Sequence, residues 1–227
     1  MNLGNRCRIL SSNKPLKTFT RRGIMLVLSS PSGAGKTTIA NGLLSSERDV
    51  QMSISTTTRA IRPGEVEGRD YNFVRKDQFM NMVSSKKFLE YATVFGNYYG
   101  TPRKPVENAM KKGLDVIFDI DWQGAQQLKN NVGADGSLVS VFILPPDSNQ
   151  LEIRLKQRAQ DTAAVVHERM SRAADEMSHY CDYDYLIVNH NINESVGQLR
   201  SILAAERLKV ERQSGLQDFV EALRKQI

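Results

Sequence analysis

The octet Ser30-Pro31-Ser32-Gly33-Ala34-Gly35-Lys36-Thr37 contains the residue types that a phosphate-binding loop needs. Its two glycines permit backbone conformations that turn successive N–H groups inward around an anion. A helix starting directly after the loop aims the positive end of its dipole at the same point. Lys36 can reach outer phosphates, and the Thr37 hydroxyl can ligate Mg²⁺. The candidate contacts to a donor nucleotide are Ser32, Gly33, Ala34, Gly35, Lys36, Thr37 and Thr38. The first position of the usual G-x-x-x-x-G-K-[ST] pattern is Ser30 here, a change confined to the entry turn.

A second cluster lies at the end of Val116-Ile117-Phe118-Asp119-Ile120-Asp121. Ligands of open parallel sheets collect at strand carboxyl ends. Asp119 and Asp121 there can hold the water shell of a metal ion or accept hydrogen bonds from a base, and Asp121 can also cap the helix predicted from Gln123. Arg59 and Arg62 offer guanidinium forks for a phosphate, with tyrosine hydroxyls as neutral donors; the lesser alternative, read alone, is a solvated surface pair. His179 and Cys181 stand two apart, with nothing nearby to complete a metal site.

These groups need a scaffold, and the hydrophobic pattern supplies one. Ile24–Leu28, Asp115–Asp121, Leu138–Leu144 and Tyr185–Val188 are short apolar runs of the sort that form strands covered on both faces. Helical spacing is predicted after the loop (Ile39, Leu43), over Val106–Lys112 with Gly113 as a stop, and over Gln123–Asn130 and Leu151–Arg158. Another helix is predicted over Glu194–Arg212, with Val196, Leu199, Ile202 and Leu203 on one stripe and Asn193 as cap. The alternation predicts an α/β fold, a parallel sheet with helices on both faces. Residues 54–104, rich in Thr, Arg, Tyr, Phe and Gly, read as an inserted subdomain.

The 227-residue chain carries a net charge of +6, yet Arg6, Arg8, Lys14, Lys17, Arg21 and Arg22 account for all of it, leaving residues 23–227 formally neutral. That distribution argues against a general nucleic-acid binder. Residues 1–22 read as a disordered basic arm, a composition shared with organelle transit peptides. The longest purely aliphatic stretch, Ile24 to Leu28, is five residues, far short of the ~20 that a membrane span requires. Two cysteines, one of them in the arm, fit a reducing compartment such as the cytoplasm.

The stretch Ser55-Thr56-Thr57-Thr58-Arg59-Ala60-Ile61-Arg62-Pro63-Gly64-Glu65, then Gly68-Arg69-Asp70-Tyr71-Asn72-Phe73, Phe88-Leu89-Glu90-Tyr91 and Gly96-Asn97-Tyr98-Tyr99-Gly100-Thr101, follows the loop in fixed order. Together with the loop and the Asp119–Asp121 strand end, these segments closely resemble guanylate kinases from about Met25 to the C-terminal helix. The resemblance implies a P-loop nucleoside monophosphate kinase that transfers the γ-phosphoryl group of ATP to GMP with Mg²⁺. Its core would span 23–53, 105–144 and 173–227, its GMP-binding subdomain 54–104, and its mobile lid 145–172. Arg59, Arg62, Tyr71 and Tyr99 would grip the GMP phosphate. Ser55, Glu90, Thr101 and Asp119 match positions that read guanine; Thr101 stands where relatives commonly have serine.

By the same resemblance, Arg154, Arg158 and Arg169 are lid arginines that act with Lys36 in catalysis, and Asn189 lies near the adenine of ATP. Ala159 replaces a glycine common in relatives, and His190 an aspartate. Mg²⁺ would sit at Thr37, with Asp119 and Asp121 acting through water. ATP and GMP are the implied partners, with no nucleic acid or membrane, and a homo-oligomer is compatible. Two alternatives stand beside this reading. One is a non-catalytic guanylate-kinase-like binding module, which typically lacks a working phosphate loop. The other is a related P-loop kinase with another phosphorylated acceptor.

Overall fold

The computed structural model describes residues 18–94, 96–132, 136–158 and 163–227; the side chains of 157, 158 and 163–167 lie outside that description. In chain order come β1 (Thr20–Arg21), β2 (Met25–Ser29), α1 (Lys36–Ser46), β3 (Val50–Met52), β4 (Thr56–Thr57) and β5 (Asn72–Phe73). There follow α2 (Lys76–Ser84), β6 (Phe88–Val94), β7 (Asn97–Pro102), α3 (Arg103–Lys111), β8 (Asp115–Asp119) and α4 (Trp122–Val132). The final third holds β9 (Leu138–Leu144), α5 (Ser148–Arg158), α6 (Ala163–Met177), β10 (Tyr185–Val188), α7 (Ile192–Arg207), β11 (Gln213–Ser214) and α8 (Leu216–Arg224).

The main sheet has the order β10-β9-β2-β8-β3, and every neighbouring pair is parallel. Its strands alternate between two cores. Leu26, Leu28 and Ile117 join Ile39 and Leu43 of α1 and Leu199 and Leu203 of α7. Met25, Val27, Val116 and Phe118 join Val106 and Met110 of α3 and Leu128 of α4. The three inner strands β9, β2 and β8 are covered on both faces and so read as near-continuous apolar runs, whereas the edge strand β10, expected to be covered likewise, leaves Leu186 and Val188 exposed. Each fully buried Leu or Phe contributes about 1.5–3 kcal/mol, and their summed burial fixes the strand ends that carry the site.

A second sheet, β5-β4-β7-β6, is mixed: β4 and β5 are parallel, while β7 is antiparallel to both β4 and β6. The β6–β7 register is irregular between Phe88 and Glu90, and Phe88, Leu89 and Glu90 are buried in succession. A regular strand would turn Leu89 away from the side that buries its neighbours; the irregularity re-aims it. Leu89 thereby joins the α3–α4 core of the main sheet, tying the two sheets together.

Three expectations are corrected. The basic arm was predicted to extend to residue 22, but Thr20–Arg21 pair antiparallel with Gln213–Ser214, and Arg21 grips the fully buried Asp115. The partners of this strand lie almost 200 residues away, where no local pattern announces them; residues 1–17 lie outside the described residues. The cap of α7 is Asn191, whose side chain accepts from the N–H groups of Asn193 and Glu194, in place of Asn193 itself. That helix also stops at Arg207 and not at Arg212, because the chain turns to bury Arg212 against Glu206 at 2.6 Å. Gly113 ends α3 as predicted, in a left-handed conformation (φ 78°). Among the described residues no helix is long and apolar enough to cross a membrane.

Candidate active site

β2 ends at Ser29 and α1 begins at Lys36, so the loop between them lies at the carboxyl edge of the main sheet. Gly33 and Gly35 take φ values of 90° and 99°, in the left-handed region that glycine adopts readily. Three neighbours hydrogen-bond to the loop. The Asn189 side chain, fully buried, donates from Nδ2 to the Ala34 carbonyl at 2.7 Å and accepts at Oδ1 from Ser195 Oγ at 3.1 Å. Arg154 of α5 donates to the same Ala34 carbonyl at 3.3 Å and to the Asn189 carbonyl at 3.5 Å. Glu176 of α6 accepts from the Ser32 N–H at 3.1 Å.

Asp119, at the end of β8, links this loop to the rest of the site. Its Oδ1 pairs with Lys36 Nζ at 2.7 Å, and its Oδ2 accepts from Thr37 Oγ1 at 2.9 Å. Lys36 also donates to the Ile120 carbonyl at 2.9 Å. The side-chain donor set of Thr37 and Asp119, with Asp121 two residues on, consists entirely of oxygen and suits a hard cation such as Mg²⁺. Among the described residues no three His, Cys, Asp or Glu side chains converge on one point. Water and phosphate oxygens would therefore supply most of the shell of such an ion.

The second sheet builds a pocket of different character. Glu90 is 4% exposed; its Oε1 accepts from Thr101 Oγ1 at 2.6 Å, and Thr101 Oγ1 lies 3.4 Å from Ser55 Oγ. Burial pushes the Glu90 carboxyl up to about 7; the Thr101 bonds pull the other way, while the charge of Asp121 adds to the rise. Asp121 caps α4 by accepting from the Gly124 N–H at 2.9 Å. Gly124 leaves room for both acids, since a Cβ there would lie 3.0 Å from Glu90 Oε2 and 3.4 Å from Asp121 Oδ1.

Beside this carboxylate lies a cationic wall. Arg59 donates through Nε to the Tyr99 hydroxyl at 3.3 Å and stacks over the Tyr71 ring at 5.4 Å. Glu65 takes its fork at 2.7 and 3.1 Å, which raises the Arg59 pKa further above its ordinary value and lowers that of Glu65. Glu65 also accepts from the Arg62 N–H at 2.8 Å, while the Arg62 side chain is exposed. Burial raises the Tyr71 hydroxyl, with smaller contributions from Tyr99 and Asp119.

Comparison with known proteins decides the family. The guanylate kinase family model matches residues 22–206. The chain is 57% identical to the guanylate kinase of Paramagnetospirillum magneticum over 209 residues, covering 92% of this chain and 97% of the relative. It is 56% identical to that of Bradyrhizobium diazoefficiens, covering 91% and 94%. The crystal structure of guanylate kinase from Anaplasma phagocytophilum superposes with a TM-score of 0.74 at 41% identity, covering 90% of this chain and 96% of that one. The chain belongs to the guanylate kinase family.

The fold brings most of the predicted guanylate kinase residues into two clusters. Ser32 to Thr38 form the loop and the first turn of α1, with Arg154 against the loop. Ser55, Glu90 and Thr101 converge in one pocket, with Arg59, Tyr71 and Tyr99 grouped beside it. Asp119 stands with Lys36 and Thr37, while the charge of Asp121 acts on both Glu90 and the loop-bound Glu176, so it lies between the clusters. Arg169 is half-buried on α6. The Arg158 side chain and Ala159 lie outside the described residues. The Asn189 side chain is fully buried, its amide committed to the loop backbone and to Ser195.

Sequence reasoning missed Glu65, Gly124 and Glu176. Glu65 had a signal, lying three residues after Arg62 in Arg-Pro-Gly-Glu. Glu176 had a weaker one, at four and seven residues from Arg172 and Arg169 and so on the same helical face.

Proposed function

We propose that this chain transfers the γ-phosphoryl group of ATP to GMP, giving ADP and GDP, by direct in-line transfer. The observation that carries the reading is the buried Glu90 carboxylate beside Ser55 and Thr101, joined through the end of β8 to a phosphate loop. Membership of the guanylate kinase family supports it.

Guanine presents N1–H beside its 2-amino group, and a carboxylate accepts from both. Adenine has no N1–H, so AMP would leave a buried acceptor unpaired at the full desolvation cost. Arg59, Tyr71 and Tyr99 would bind the acceptor phosphate, with Arg62 closing from the exposed side and Glu65 yielding part of its hold on Arg59. The loop N–H groups and Lys36 would hold the donor phosphates, and Arg154, Arg158 and Arg169 would add positive charge from the lid. Mg²⁺, held at Thr37 and through water at Asp119 and Asp121, would supply charge neutralisation on the phosphates.

Phosphoryl transfer requires mainly positioning and charge stabilisation. No general base is needed, because the accepting phosphate oxygen is already ionised at neutral pH. Lys36 would leave Asp119 for phosphate, keeping one cation in play from the free to the loaded site. Small-molecule substrates and a cytoplasmic setting complete the reading. An ADP-release assay comparing GMP, AMP, UMP and CMP tests it: GMP should be strongly preferred, and equal turnover of AMP would overturn the role given to Glu90.

A further inference from the structure

Glu176 sits on α6, where the proposed mechanism gives it no task, yet it touches the phosphate loop. Its Oε2 accepts from the Ser32 N–H, an amide of the loop itself. The Lys36 cation attracts the carboxylate, the Asp121 charge repels it, and burial holds its carboxyl above the usual range. Arg169 and Arg172 lie seven and four residues earlier, on the same helical face. The helix has a second fastening to the loop: Ala173 and Met170 pack on Leu151 and Leu155 of α5, the two leucines that crowd Gly33.

A loop that collects N–H donors for an anion therefore holds an anion of its own. Polyphosphate and carboxylate cannot both occupy that amide, because like charges at contact distance repel strongly away from bulk water. We propose that Glu176 is a displaceable stand-in for the donor phosphate: filling the loop with ATP frees its carboxylate from Ser32 and so resets α6, with Arg169 and Arg172, against the loop. This rests on the donor-site reading above. Glu176 is a positioning residue; it couples occupancy of the loop to the arginine face of the helix.

The test pairs calorimetry with hydrogen–deuterium exchange on the full chain, using Mg²⁺ and a non-hydrolysable ATP analogue. In the parent, the analogue should alter exchange of the backbone amides of 170–177. Glu176→Gln removes the charge at constant size. It should bind the analogue about tenfold more tightly, because its amide oxygen still accepts from Ser32 but carries no charge to oppose the phosphates. Glu176→Asp, too short to reach Ser32 but still charged, should release the helix, its nucleotide-free exchange over 170–177 already resembling that of the loaded parent. Asp175→Asn, the same charge change on an exposed position next door, should behave as the parent does. An analogue affinity of Glu176→Gln within about twofold of the parent would overturn the inference. Unaltered exchange over 170–177 when the parent binds the analogue would do the same. If the parent fails to bind the analogue, the donor-site reading itself falls and the inference with it.

Discussion

The Thr101 hydroxyl donates to Glu90 Oε1 at 2.6 Å, and this is the hydrogen bond by which the pocket keeps a nearly inaccessible carboxylate oriented. Burial outweighs the side-chain and backbone bonds from Thr101, so the carboxyl titrates at about 7, above its ordinary 4.5. Guanine offers donors, and only the ionised form accepts from two of them. We predict that the GMP KM falls as pH rises from 6 to 8 while the ATP KM changes little. GMP binding near pH 7 should also release a proton, measurable by calorimetry in buffers of different ionisation enthalpy. The sign reverses for stability. A carboxyl whose folded pKa is raised contributes stability at low pH that is lost as pH climbs through about 7. Glu90→Gln should therefore raise Tm more at pH 8 than at pH 5, by a free energy on the order of 2–3 kcal/mol at most.

Asp115→Ala should be among the most destabilising changes, although it lies at the opposite end of β8 from the site. The fully buried carboxylate accepts from the Ile24 N–H at 2.8 Å, pairs with Arg207 at 2.7 Å and also holds Arg21. Truncation leaves Arg207 with Glu47 alone of its two acidic partners, takes the buried carboxylate from Arg21, and leaves an unpaired N–H just before the central strand. We expect a loss of about 3–5 kcal/mol in urea unfolding, with KM values of the surviving folded enzyme unchanged. A loss under about 1 kcal/mol would mean that the cluster is only surface decoration.

How much of this was legible in the sequence depended on range. Four of the five strands of the main sheet announced themselves because each carries its own apolar run; the edge strand Val50–Met52, three residues long with Gln51 exposed between its apolar ends, did not. The loop was legible because its chemistry needs consecutive residues. Glu90 was found through its motif, but its burial and raised pKa were not, since they come from Thr101, Gly124 and Asp121 meeting across two sheets. The pairing of Thr20–Arg21 with Gln213–Ser214 and the hold of Asn189 on Ala34 were hidden for the same reason. A side-chain amide and a backbone carbonyl separated by 155 positions leave no local pattern.

Asn189→Ala tests that second case. It removes the 2.7 Å bond to the Ala34 carbonyl and leaves Ser195 Oγ without its acceptor. Arg154, at 3.3 Å, still reaches the same carbonyl, so the loop should loosen without collapsing. We predict an ATP KM raised about tenfold, in line with the ~1–3 kcal/mol cost of unpairing buried polar groups, and a GMP KM that stays put. A change confined to GMP would place Asn189 in the wrong half of the site.

Lys36→Ala should separate binding from chemistry. Lys36 bonds to Asp119 and the Ile120 carbonyl, and it makes no described contact with the Glu90–Thr101–Ser55 pocket. GMP affinity by calorimetry should therefore hold, while kcat falls by about 10²–10³ or more through lost charge stabilisation on the transferring group. Full turnover in the variant would remove the loop from the mechanism.

Gly124→Ala sets stability against function. Gly124 lies in the first turn of α4, and its φ is not in the left-handed region, so alanine should favour the helix by up to about 1 kcal/mol. The added methyl, however, would meet Glu90 Oε2 at 3.0 Å and Asp121 Oδ1 at 3.4 Å. The α4 backbone is held by its cap and its core contacts, so the carboxylate at the end of the Glu90 side chain must give. We predict a GMP KM raised about tenfold, an ATP KM within twofold of the parent, and a Tm equal to or above the parent's. That combination identifies displacement of the base-reading carboxylate, because general damage to the fold would lower Tm and impair both substrates together.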